Sequence, residues 1–135
     1  MLIETEKFKQ KIIDELITLV EKNQSVWKSV SIDTDDFMTV AKYTETKKGG
    51  TKLMPIAYRV CKVGNTAHII VYDYSYKKGP TDTSELPSVE VCDKTIKGSK
   101  IYDLLLKIKA TVEEDTKAKD EVLLDKLTWY LNSKK

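Results

Sequence analysis

Residues 53–77 read LMPIAYRVCKVGNTAHIIVYDYSYK, and this stretch decides the fold of the chain. Runs rich in β-branched and aromatic residues lie on either side of Gly64 and Asn65, a pair typical of two-residue hairpin turns. If Val63 faces Thr66 across that turn, the register of the remaining pairs follows. The stretch therefore predicts two antiparallel strands joined by a tight turn.

This register assigns the hairpin side chains to two faces, because successive residues of a strand point to opposite sides of a sheet. One face is apolar and is expected to lie on the core; it holds Met54, Ile56, Tyr58, Val60, Ile69 and Val71. The other face is polar and aromatic; it holds Arg59, Cys61, His68, Ile70, Tyr72, Tyr74 and Tyr76.

The residues before the hairpin predict one helix and two strands. Apolar residues recur at three- and four-residue spacing over 5–22, which indicates an amphipathic helix. Alternation over 26–32 predicts a strand, and a second strand is expected at 37–43. The glycine-containing stretch 44–52 is expected to be an exposed connection.

Two apolar runs follow the hairpin, after a loop at 78–87 and a short strand at 89–92. Their phase slips across the charged stretch 113–121, which favours two helices with a break near Asp115; one long helix is the alternative. Both runs are expected to face the core, with Trp129 off the main stripe. The runs are Ile101, Leu104, Leu105, Ile108 and Val112, then Val122, Leu124, Leu127, Tyr130 and Leu131.

The order of these elements predicts an α+β fold. We expect an antiparallel sheet of about five strands, with an N-terminal helix and one or two C-terminal helices packed on one face. The chain has 135 residues, so residues 1–135 are expected to form a single domain. With 41% hydrophobic and 33% charged residues, the composition is that of a globular protein and not of a disordered one.

The charge is balanced, with 23 basic and 21 acidic residues spread evenly along the chain. No basic arm or tail is present, which argues against a strongly electrostatic DNA-binding protein. All the basic residues except Arg59 are lysines. Such a bias is typical of an AT-rich genome, so we expect a phage or another mobile element of an AT-rich bacterium as the source.

The expected location is the cytoplasm. No apolar run approaches the roughly 18 residues of a membrane span, and the first residues do not have the pattern of a signal peptide. No membrane partner is expected. Cys61 and Cys92 do not form a secreted-type cysteine framework, so both are expected to be reduced thiols.

Two arrangements could carry catalysis. The hairpin register places Cys61 opposite His68, the only histidine, as a nucleophile and its base would be placed, although no third residue that would orient the histidine is evident. Asp33, Asp35 and Asp36 share one turn and could hold a hard cation such as Mg²⁺, although aspartates are also ordinary turn residues. We expect neither a cofactor nor a metal site.

The leading hypothesis is a small non-catalytic binding protein that acts through its tyrosine-rich sheet face or its C-terminal helices. Aromatic and cationic side chains are enriched in protein interfaces, so a protein partner is expected, including a second copy in a homodimer. The same residues could stack and hold single-stranded nucleic acid, which is the second hypothesis. An enzyme is the third. The candidate binding residues are Arg59, His68, Tyr72, Tyr74, Tyr76, Lys77 and Lys78.

Overall fold

The computed structural model describes residues 1–2, 4–22, 26–31, 34–47, 50–76 and 86–134, with the backbone alone at 42–47, 51–54 and 76. In chain order the elements are α1 (Glu6–Glu21), β1 (Lys28–Ser29), β2 (Asp36–Lys47), β3 (Gly50–Val63), β4 (Thr66–Asp73), a 3-10 turn (Tyr74–Tyr76), β5 (Ser88–Asp93) and α2 (Lys100–Ser133). The fold is α+β, as the sequence predicts.

The five strands form one antiparallel sheet in which each strand pairs with the next one along the chain. The predicted hairpin register is confirmed, because Val63 faces Thr66 and Cys61 faces His68. Gly64 has a φ of 59°, a left-handed conformation that glycine adopts without the steric cost other residues carry. The turn chemistry therefore fixes which side chains share a face.

Both helices pack on one side of this sheet, which we call the helix face. Its strand residues include Tyr58, Val60 and Ile69, all on the side that the alternation predicts for the core. Helix α1 contributes Ile13, Leu16 and Leu19 to the same cluster, and α2 contributes Ile101, Leu104, Leu105 and Ile108.

The start of α2 is tied to β5 and α1 through Asp93. The Ser99 side chain caps the helix by accepting a hydrogen bond from the Tyr102 amide at 3.0 Å, and its hydroxyl donates to Asp93 Oδ2 at 2.5 Å. Lys9 of α1 forms an ion pair with the same carboxylate. Burial opposes ionisation of Asp93, but the hydrogen bonds from Lys9 and Ser99 outweigh it and lower the pKa of this carboxyl.

The prediction of two C-terminal helices is wrong, because α2 runs without a break from Lys100 to Ser133. The apolar residues after Asp115 lie on a different side of this continuous helix from the apolar residues before it, which explains the change of phase. Four residues of α2 are fully buried, and all lie at or before Ile108. Every residue from 113 to 134 is exposed, so the second apolar run does not face the core as expected.

Three strand boundaries also differ from the prediction. β1 has only two residues, because only Phe37 and Met38 of β2 pair with it. The expected connection at 44–52 is instead the tip of a long hairpin, in which Lys47 pairs with Gly50. β4 ends at Asp73, so the strand does not continue through the last tyrosines.

Candidate interaction surfaces

The side of the sheet opposite the helices is the open face, and it carries most of the chemistry-bearing side chains. Strand pairing arranges them in rows across β2, β3, β4 and β5. One row holds Asp36, Cys61, His68 and Cys92, and the next holds Met38, Arg59, Ile70 and Glu90. The predicted face thus exists, and two acidic residues that the sequence did not place there lie within it.

Arg59 is occupied by Asp36. Its Nε donates to Asp36 Oδ1 at 2.9 Å and its Nη2 donates to Oδ2 at 2.5 Å, a two-point pairing that matches the planar geometry of both groups. The hydrogen bond from Arg59 to Asp36, and a further one to Tyr72, raise the pKa of the guanidinium. The cation is therefore already neutralised within the sheet.

His68 is held at both ring nitrogens. Nδ1 lies 2.5 Å from Glu90 Oε1, and Nε2 lies 2.7 Å from Thr66 Oγ1. The Thr66 hydroxyl also donates to the Val63 carbonyl at 2.7 Å, which closes the hairpin turn. The sequence of carboxylate, imidazole and hydroxyl resembles a catalytic relay, but here the hydroxyl is engaged in holding the turn.

Neither cysteine of the open face is activated by a lowered pKa. Burial raises the pKa of Cys61 to about 11, so the thiol is protonated at neutral pH. Burial also raises the pKa of Cys92. Cys61 lies across the strands from His68 as predicted, but the ring nitrogens of His68 are directed to Thr66 and Glu90. The arrangement does not form a thiolate–imidazolium pair.

The tyrosines do not form the predicted row. Tyr72 lies on the open face but is only 8% exposed, packed with Ala57 and Leu86. Tyr74 packs against this cluster from the 3-10 turn that follows β4. The strand ends because Asp73 accepts hydrogen bonds from the amide and hydroxyl of Ser75, a turn that competes with strand pairing.

Three of the predicted binding positions fall where the structure gives no side-chain geometry. The Tyr76 side chain, Lys77 and Lys78 lie outside the described residues. Of the other four, Arg59, His68 and Tyr72 come together on the open face, and each already has a partner there.

The aspartates of the predicted metal turn are engaged with cations of the protein. Asp36 pairs with Arg59, and Asp35 lies 3.1 Å from Lys109 of α2, whose pKa it raises. Asp33 lies outside the described residues. Among the side chains that are described, no group of three or more His, Cys, Asp or Glu could hold a metal ion.

The other conspicuous surface is the second half of α2, where seven large apolar side chains between residues 122 and 131 are each at least 46% exposed. Five lie on one side of the helix because they recur at three- and four-residue spacing. We call these five the apolar stripe: Leu123, Leu124, Leu127, Tyr130 and Leu131. Val122 and Trp129 lie on another side, and Trp129 is 73% exposed.

The apolar stripe does not continue the buried side of the helix. At 3.6 residues per turn, the stripe lies roughly a quarter turn around the helix axis from the residues that pack on the sheet. The 21 residues from 113 to 133 extend about 31 Å beyond the packed half. The stripe is thus presented away from the core by a helix whose beginning is anchored to it.

Comparison of the chain with models of protein families, with curated proteins and with solved structures found no significant match. The described part of the chain contains no helix that is both long enough and apolar enough to cross a bilayer.

Proposed function

We propose that the protein is a non-catalytic interaction protein that binds a protein partner through the apolar stripe of α2. The observation that carries this proposal is the exposure of five large apolar residues on one side of a helix whose residues from 113 to 134 are all exposed. Exposed patches of this kind mark association surfaces on soluble proteins.

The physical reason is the cost of keeping the stripe in water. Full burial of one leucine side chain contributes about 1.5–3 kcal/mol, and the stripe leucines are roughly half exposed. Each therefore has about 1 kcal/mol still to gain from a partner. A helix that presents such a stripe is recognised by an apolar groove or by another helix.

The open face is the weaker candidate for the contact surface. Its cation Arg59 and its histidine His68 are satisfied by carboxylates of the same sheet. A nucleic-acid phosphate would have to displace Asp36 or Glu90, and a base would find Tyr72 already packed. These contacts give the open face a structural role and support the helix as the binding element.

The stripe can be tested by site-specific photo-cross-linking of the full-length protein. A photoreactive phenylalanine analogue replaces Leu127 on the stripe or, as a matched control, Glu121 on the polar side of the same helix. The protein is irradiated in cells that express it. We expect one discrete protein adduct from position 127 and none from position 121.

A second variant separates specific binding from general stickiness. Leu124→Ser, combined with the reactive group at position 127, should remove the adduct. It should leave the unfolding midpoint of the dilute, monomeric protein unchanged, because Leu124 is exposed in the single chain. Absence of any adduct from position 127 would contradict the proposal. If positions 121 and 127 gave the same mixture of adducts, the cross-linking would not be specific to the stripe, and the proposal would also be contradicted.

A further inference from the structure

We infer that the partner of the apolar stripe is a second copy of this chain, paired with it as an antiparallel helix. The inference rests on the proposed function and names its partner. The supporting observations are the charges at the two ends of the stripe and the position of the stripe on α2.

The two ends of the stripe carry opposite charges. Asp120 lies one turn before Leu123 and Leu124, on the same side of the helix. Lys134 lies one turn after Tyr130 and Leu131, and its ammonium group is 4.7 Å from the centre of the Tyr130 ring.

An antiparallel pair satisfies both charges. If two copies overlap around Leu127, Asp120 of one copy comes close to Lys134 of the other, and this contact occurs twice because the pair is symmetric. In a parallel pair the identical residues would meet, so Asp120 would face Asp120 and Lys134 would face Lys134. Like charges at facing positions disfavour that arrangement.

The length and width of the stripe fit helix pairing. From Asp120 to Lys134 the helix makes about four turns and spans about 21 Å. Lys119 and Lys126 border one side, where their alkyl stems can cover the edge of the stripe while the ammonium groups stay in water. A stripe of leucines is complementary to itself, as a two-fold interface requires.

The oligomeric state is measured by sedimentation equilibrium of the full-length protein over a range of concentrations. We expect a reversible monomer–dimer equilibrium. Leu127→Asp should weaken the dimer at least 100-fold, because it places two carboxylates at the centre of the contact. The matched control Glu121→Gln, on the polar side of the helix, should leave the dissociation constant within about twofold.

Charge reversal tests the direction of pairing. Asp120→Lys and Lys134→Glu should each weaken an antiparallel dimer about tenfold, because each variant replaces two attractive contacts with two repulsive ones. The double variant restores unlike charges at both contacts, so its dissociation constant should return to that of the original chain. In a parallel dimer the single variants would change little, and that result would overturn the antiparallel arrangement.

The outcomes also separate this inference from the proposed function. A chain that remains monomeric at all concentrations, while position 127 cross-links to a protein of different mass, would overturn self-pairing and retain the stripe as a binding site. A monomeric chain without any adduct would overturn both. A reversible dimer with an adduct of twice the chain mass would support both.

Discussion

Asp93 is the residue whose replacement should most clearly loosen the helices from the sheet. Its carboxylate accepts hydrogen bonds from Lys9 of α1 and from Ser99, the cap of α2, so one side chain of β5 connects both helices to the sheet. Asp93→Asn keeps the size of the side chain and removes its charge. The ion pair with Lys9 is lost, and the lysine is left largely buried, with its side chain only 15% exposed.

The cost can be worked from these contacts. A hydrogen bond to a charged group contributes about 1.5–3 kcal/mol, and breaking a fully buried ion pair costs about 3–5 kcal/mol. Because this pair is not fully buried, we expect Asp93→Asn to lower the free energy of unfolding by about 2–3 kcal/mol. The unfolding midpoint should fall by about 8 °C for a chain of this length.

The effect should depend on pH in one direction. The pKa of Asp93 in the folded protein is lowered from its ordinary value near 3.8. Its contribution is therefore fully present above pH about 4 and is lost as the pH falls through the lowered pKa. The difference in stability between the original chain and Asp93→Asn should be full at pH 7 and should shrink on acidification below about pH 4.

The assay is urea unfolding followed by far-ultraviolet circular dichroism at pH 7 and pH 3. Glu114→Gln, at an exposed carboxylate of α2, is the matched control and should change stability by less than about 0.5 kcal/mol. Adding Lys9→Met to Asp93→Asn should recover part of the loss, because it removes a partly buried cation that keeps only its longer contacts with Glu6 and the Cys92 carbonyl. If Asp93→Asn equals the original chain at pH 7, or if the difference does not shrink at low pH, the reasoning is refuted.

Three further predictions concern the core, the hairpin turn and the buried thiol. Leu105→Ala should cost about 3 kcal/mol in urea unfolding because Leu105 is fully buried, and a loss below 1 kcal/mol would place it outside the core. Gly64→Ala should cost about 1 kcal/mol because of its positive φ, whereas Gly50→Ala should cost almost nothing; equal effects would contradict this. A Cys92→Ser variant leaves Cys61 as its single thiol. At pH 8, iodoacetamide should alkylate Cys61 about 100-fold more slowly in the folded chain than in the unfolded chain, because the folded thiol has a pKa of about 11. Equal alkylation rates in the two states would contradict this pKa.

The hairpin of β3 and β4 could be predicted because its signals are local. Gly64 and Asn65 set the turn, the turn sets the register, and the two-residue period then assigns each side chain to a face. The same reasoning identified the core residues Val60 and Ile69. In this part of the chain the structure preferred by the local sequence is the same as the structure in the folded protein.

The end of β4 could not be obtained from periodicity. Tyr72, Tyr74 and Tyr76 keep a two-residue spacing, which is typical of a strand that continues. A hydrogen bond from Ser75 to the Asp73 side chain ends the strand instead. The sequence does contain a turn signal at this point, because Asp73 stands two residues before Ser75 and aspartate side chains often accept a hydrogen bond from the amide two residues on.

The partners of the open face required the register of β2 against β3, which the sequence did not provide. Asp36 lies beside Arg59 only because Phe37 faces Val60. The stretch between these strands does contain Gly49 and Gly50, a pair that favours a hairpin turn, but the pair alone does not give the register because the polar residues around it show no clear alternation. The ion pairs of Arg59 with Asp36 and of His68 with Glu90 are therefore not predictable from the sequence alone.

The exposure of the apolar stripe was also beyond the reach of sequence patterns. A helix that packs on its own core and a helix that packs on another protein have the same periodicity, so the pattern shows a stripe without showing what covers it. The single-domain organisation, the cytoplasmic location and the origin in a phage or mobile element stay predictions from composition.

The two halves of α2 depend on different sources of stability. Helix formation is costly at nucleation, and the Ser99 cap with the packed residues up to Ile108 meets that cost. Beyond residue 112 each added turn gains only its own backbone hydrogen bonds and side-chain propensities. Amide hydrogen exchange should therefore become steadily faster towards Ser133. The length of helix that stays folded beyond residue 112 depends on temperature and on any bound molecule more than on packing against the sheet.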